Sequence, residues 1–149
     1  MKELRTILVI MLLGAGSPAF AVDTITSSDP LDLIAVRAKI KARHYQGAVA
    51  DLNGMIDRGV QHADVYNLLG FSLRKSGDIA KARTFYTKAL EFDPNHKGAL
   101  EYSGELYVQV GELGRARQNE AKLKVLCPQG CEELEDLQQA ISQADTKTQ

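Results

Sequence analysis

The chain has 149 residues, of which 44% are apolar, 25% charged and 6% aromatic, with a formal net charge of −1. That is the length of one domain, and the composition excludes a disordered tail, a collagen-like rod and a polytopic membrane protein. Near-neutral charge argues against a dedicated nucleic-acid binder, and two cysteines are too few to build a small disulfide scaffold.

In chain order, Lys2 and Arg5 give a positive start, diluted by Glu3. Residues 7–16 read ILVIMLLGAG without a charge, Ser17 and Pro18 break the run, and Ala19-Phe20-Ala21 follows. A basic start, a short apolar run and small residues at alternate positions form a secretory signal peptide, with cleavage expected after Ala21. A membrane anchor is the weaker reading, because spanning a bilayer takes about 20 apolar residues. No stable span is expected after cleavage, and the expected location is the bacterial periplasm. Residues 22–30 read as a short linker. Beyond it, residues 31–90 hold 10 basic and 5 acidic side chains, and residues 91–149 hold 6 and 11. Solvated helix faces account for such an imbalance; a long-range field that orients a partner is the functional alternative.

One spacing recurs through the rest of the chain. Gly70 and Gly104, Gly77 and Gly111, and Pro94 and Pro128 are each 34 apart, and Ala48, Ala82 and Ala116 form a ladder with the same step. So many residue types sharing one step mark an internal repeat. The best copy, residues 63–96, places Tyr66, Leu69, Gly70, Leu73, Ala82, Tyr86, Ala89 and Pro94 at positions 4, 7, 8, 11, 20, 24, 27 and 32. In these residues it resembles the tetratricopeptide repeat family, departing at Leu73, where the family usually has Tyr. Residues 97–130 keep Gly104, Tyr107, Gly111, Ala116 and Pro128 but depart at Ser103, Glu120 and Leu123. Residues 29–62 form a degenerate first copy that keeps Ala48 and the phase.

The expected fold class is therefore all-α: an α-solenoid of about three helix hairpins over residues 31–145. Small residues at positions 8, 20 and 27 let two helices approach, and large apolar residues at 4, 7, 11 and 24 fill the space between them. Gly77-Asp78 and Gly111-Glu112 stop one helix and start the next, and Pro94 and Pro128 end the second helix of each pair. Helices are expected near 32–43, 46–57, 63–75, 79–91, 97–109 and 113–126. Leu134, Leu137 and Ile141 fall on one face of a seventh, a cap near 132–144, with 146–149 as a frayed tail.

Enzyme signatures are thin. There is no GxxxxGK[ST] loop, no GxSxG elbow and no HExxH. His44, His62 and His96 read as solvated turn residues, since a metal site would need further ligands. No catalytic residue, metal or cofactor is expected. Cys127-Pro128-Gln129-Gly130-Cys131 stands out, because in an oxidising compartment a nearby pair closes. A structural disulfide between Cys127 and Cys131, joining the third hairpin to the cap, is the leading reading. A redox pair or a copper site of CxxxC type stays open, although a thioredoxin-like CxxC and a nearby His or Met are both missing.

In the family that the chain resembles, positions 2, 5, 6, 9, 12 and 13 of the first helices face a groove. Carried over by position, the resemblance implies a partner-binding groove containing Arg37, Lys41, Asn67, Phe71, Arg74, Lys75, Glu101, Tyr102 and Glu105. Phe71 is the expected anchor, with core packing as the alternative, and Arg74 is expected to act on association rate. Some members grip a C-terminal carboxylate with Asn and basic residues where this chain has Leu68, Gly98 and Tyr102, so that mode is not expected. The leading functional expectation is a non-enzymatic module that binds a peptide or helix of another protein in the cell envelope. The rivals are a redox or metal-handling accessory of cytochrome or oxidase assembly type, using Cys127 and Cys131, and a pilus or envelope assembly scaffold. The oligomeric state is not encoded in any of these features.

Overall fold

The structure, a computed structural model, describes residues 32–147. The expected signal peptide, its cleavage point and the linker lie outside the described residues, as do Thr148 and Gln149. Seven helices and no strand are found among the described residues: α1 Ile34–Lys41, α2 Tyr45–Asp57, α3 Ala63–Lys75, α4 Ile79–Phe92, α5 Lys97–Gln109, α6 Leu113–Leu126 and α7 Glu132–Lys147. Consecutive helices pair as antiparallel hairpins, α1 with α2, α3 with α4 and α5 with α6. Each hairpin packs on the next through α2 against α3, α4 against α5, and α7 against both α5 and α6. The expected all-α solenoid is thus the observed one.

Local chemistry explains where each helix begins and ends. The Asp78 side chain accepts the Lys81 backbone N–H at 3.2 Å and caps α4. Between the two helices of each hairpin one residue turns left-handed. In the second and third hairpins it is glycine, Gly77 (φ 92°) and Gly111 (φ 80°). The degenerate first hairpin makes the same turn one repeat step earlier with Arg43 (φ 59°), where a side chain crowds the backbone.

The repeat positions form the core. Ala48, Ala82 and Ala116 are fully buried, as are Leu69, Ala89 and Leu106. Tyr66 of α3 packs against Phe85 (centroids 6.4 Å apart) and Phe92 (5.2 Å) of α4 within hairpin two, and Ala99 of α5 joins the same cluster. The two repeat glycines at position 8 serve different partners. A Cβ on Gly70 would stand 2.7 Å from the Tyr86 ring of its own hairpin, whereas one on Gly104 would stand 2.6 Å from Leu137 of α7. The reason lies at position 24. It is Tyr86 in the second copy but Glu120 in the third, and Leu137 comes from α7 to cover Gly104.

The seventh helix therefore does more than close the stack. Leu134, Leu137 and Ile141 are buried with Leu100, Ala116 and Leu123 in one cluster, and they sit at positions 4, 7 and 11 of a fourth repeat begun at 131. In position and packing α7 is the first helix of a further hairpin. It runs to Lys147 rather than stopping at 144 and fraying from 146. Arg117 of α6 binds Asp145 through both carboxylate oxygens, at 2.8 and 2.7 Å, and fixes this last turn.

Candidate functional site

Helices α1, α3, α5 and α7 share one face, and a cleft of about 300 Å³ opens in it. Arg37 of α1, Asp64, Asn67 and Leu68 of α3, His96, Gly98, Glu101 and Tyr102 at and in the start of α5, and Glu132, Glu133 and Asp136 of α7 line it. Asn67 and Glu101 occupy the same repeat position, 34 apart, and both are buried, at 4% and 6% exposure. Gly98 makes room for Asn67, since a Cβ there would come within 3.1 Å of its Nδ2. Burial pushes the Glu101 carboxyl up to about 8, helped by Glu105, Asp136, Glu133 and Glu132 around it. Burial, with Glu101 and Glu105 nearby, likewise pushes the Tyr102 phenol up to about 12.

An aromatic strip adjoins the cleft. Phe71, half-buried, sits 4.8 Å from the Tyr102 ring and 6.4 Å from that of Tyr45, centroid to centroid. The Lys75 ammonium lies 5.3 Å from the centre of the Phe71 ring and the Arg74 guanidinium 5.9 Å from it. Cleft and strip meet at Tyr102, which belongs to both.

The expected groove residues separate into four kinds. Arg37, Asn67, Glu101 and Tyr102 come together in the cleft, and Phe71 and Lys75 come together in the strip beside it. Arg74, although its guanidinium flanks Phe71, and Glu105 offer no free charge to either surface. They form an ion pair with each other that ties α3 to α5, with the Arg74 side chain only 9% exposed. That geometry corrects the expectation that Arg74 acts on association rate: its charge is already neutralised inside the fold, and steering needs a free exposed charge. Lys41 is exposed at the end of α1 and does not line the cleft. Phe71 combines both readings given to it, packing against Tyr45 and Tyr102 while keeping part of its ring exposed.

His96 differs from the solvated turn residue that the sequence suggested. Its side chain is 15% exposed; Nδ1 accepts the Ala99 N–H at 3.0 Å, and Nε2 lies 3.1 Å from Asp64 Oδ1. It caps α5 and bridges to α3. His62 caps α3 in the same way, with Nδ1 accepting the Asp64 N–H at 3.2 Å, and is about half exposed. Glu132, Glu133 and Asp136 are the site residues that sequence reasoning missed as groove positions. The signal was present, since one more step of 34 puts Glu132 and Asp136 at positions 2 and 6 of a fourth first helix.

Cys127 and Cys131 flank the bend between α6 and α7, with Cα atoms 5.8 Å apart and the sulfurs in contact, inside the range a disulfide requires. The turn that brings them together passes through Gly130 at φ 92°. A carboxylate oxygen of Glu133 lies near both sulfurs, all within 4.8 Å of one another.

Residues 63–96 match the family model described as tetratricopeptide repeat. A stretch of 66 residues is 36% identical to a protein of Pyropia yezoensis described as uncharacterized protein ycf37, covering 44% of this chain and 36% of that relative. The chain thus spans about a third of the length of the curated relative it matches.

Proposed function

We propose that the chain is a non-enzymatic module holding a segment of another protein against the face of α1, α3, α5 and α7; the match of residues 63–96 to the tetratricopeptide repeat model and the all-α hairpin stack support this reading. The carrying observation is the junction at Tyr102, where a partly exposed aromatic strip meets a polar cleft of about 300 Å³. Aromatic side chains at a desolvated centre, with polar and charged groups around them, are the usual composition of a binding hot spot. A photo-crosslinking residue at Lys75, with Val125 on α6 as the control position, tests the reading. Val125 is 79% exposed. Capture of one defined protein from Lys75 and not from Val125 is expected; the reverse pattern overturns the proposed face.

In this reading the chain is exported and cleaved after Ala21, on the strength of the apolar run at 7–16 and the small residues Ala19 and Ala21. Cys127 and Cys131 then form a disulfide across the α6–α7 bend, supported by their Cα separation of 5.8 Å. One observation favours a second reading, metal handling by the reduced pair: the carboxylate of Glu133 beside both sulfurs. A thiol count on protein isolated from its native compartment separates the two. The disulfide predicts none, and the metal-handling reading predicts two.

A further inference from the structure

We propose that the cleft is a receptor for one cationic side chain, an arginine or a lysine, carried by the partner's bound segment. The proposal rests on the partner-binding reading above and names the chemistry of its ligand.

Two independent observations support it. The first is an unanswered buried acceptor. Asn67 lines the cleft at 4% exposure, and its Oδ1 meets no donor. Buried carbonyl oxygens almost always find a partner, and one that does not is suited to an incoming donor. The second is the imbalance of charge. Glu105, Glu112 and Glu120 each meet an Arg or Lys of the chain. Glu101, Glu132, Glu133 and Asp136 gather around the cleft, and no ion pair to any of them is found among the described residues. The one cation and the histidine that line the cleft are already directed to Asp64: Arg37 lies 3.8 Å from it and His96 3.1 Å.

Shape decides between an ion and a side chain. A bare divalent cation needs oxygens converging within a few ångströms. Among the described residues the set of three that converges within 4.8 Å is Cys127, Cys131 and Glu133, so of the cleft acids Glu133 alone belongs to it, and through the sulfurs. A volume of about 300 Å³ instead admits a guanidinium or ammonium on its aliphatic stem, and the Tyr102 ring offers that stem a wall. The head group would donate to Asn67 Oδ1 and to the Glu101 carboxylate, with the α7 acids at the rim.

Ligand binding is then coupled to a proton. The free carboxyl of Glu101 titrates near 8, so at neutral pH it is mostly protonated. Facing it are Glu105 of its own helix, already paired with Arg74; Glu132, Glu133 and Asp136 from α7; Asp64 and Asn67 from α3; Arg37 from α1; and His96. A cation favours the ionised form and expels the proton, so affinity rises as pH climbs from 6 to 9.

The test is a titration of the full chain, followed by amide NMR, with acetyl-Ala-Arg-Ala-amide and with the same peptide carrying neutral citrulline. The arginine peptide is expected to perturb α3, α5 and α7 around the cleft and to bind at least about tenfold more tightly than the citrulline peptide. Its affinity should rise about tenfold between pH 6 and 9, and Glu101→Gln should remove that rise. Asp136→Asn, at an exposed position, should weaken binding severalfold without altering the fold. Equal affinity for the two peptides, or perturbations elsewhere on the chain, would overturn the proposal. So would the same perturbations produced by calcium alone, or by raising the protein concentration without peptide, which would make an ion or a second copy the occupant. No binding of the arginine peptide while Lys75 still captures a partner would sink this inference and leave the partner-binding reading standing. Binding of the peptide with no capture at Lys75 would do the opposite.

Discussion

Replacing Glu101 by Gln tests the electrostatics of the cleft without any partner. The carboxyl rises from its ordinary 4.5 to about 8 in the folded chain, first through burial and then through the acids around it. A group whose pKa is raised by folding contributes stability that is fully present below 4.5 and is lost as pH climbs through 8. At about 1.4 kcal/mol per pH unit the linked loss has a ceiling of roughly 5 kcal/mol. From pH 5.5 to 8 the same slope gives an expected loss of at most roughly 3 kcal/mol. Glutamine mimics the protonated acid and carries no such dependence. Urea unfolding of both proteins from pH 5.5 to 9.5 reads the difference, from which titrations common to the two cancel. The variant should gain on the wild type by roughly that amount, steadily from pH 5.5 and levelling off above about 8. Two curves that stay parallel over the whole range would refute the reasoning, for they would mean that Glu101 is ionised and solvated throughout.

Three further outcomes follow from the packing. Gly104→Ala should destabilise the chain by about 1–3 kcal/mol, the scale of overpacking, and its loss combined with that of Leu137→Ala should be smaller than the sum of the two single losses, since the new methyl group meets Leu137 at 2.6 Å; additive losses in chemical denaturation would exclude the contact. Arg43→Gly should raise stability by about 0.5–1 kcal/mol by relieving a left-handed side-chain residue, read as a higher urea midpoint with unchanged slope; a lower midpoint would show that the turn is not strained. Replacing Cys127 and Cys131 together by serine should cost less than the ~3 kcal/mol expected of a 15-residue loop, and hydrogen exchange should quicken in α7 far more than in α3 or α4; uniform quickening would show that the pair holds the whole stack.

The helices were legible in the sequence because two independent signals agreed, the 34-residue step and the helical spacing of apolar residues. Boundaries followed from Gly77, Gly111, Pro94 and Pro128, which act locally. What sequence could not reach was tertiary exchange between repeats. Glu120 in place of an aromatic looked like simple divergence, and only the structure shows Leu137 arriving over Gly104 from the next helix. The same limit applied at the site. Position numbers put Arg74 and Glu105 in the groove, but they say nothing of whether two such charges on adjacent helices find each other first. His96 was misread for a related reason, since its partner Asp64 lies 32 residues away. Treating residues 132–144 only as a cap hid the acids of α7, although the repeat step extended that far.

The central claim is that the face built by α1, α3, α5 and α7 binds a segment of another protein, with Phe71 and Tyr102 as its anchors. Calorimetric titration of the partner captured at Lys75 into the wild type, Phe71→Ala and Tyr102→Ala tests it most directly, with a Leu69→Ala chain as the control for lost core packing. The account predicts that each anchor variant loses at least about 2 kcal/mol of binding energy. It also predicts that Leu69→Ala, truncated at a fully buried position, loses roughly 2–5 kcal/mol of stability yet binds normally under conditions where it is folded. Unchanged affinity in both anchor variants would contradict the claim.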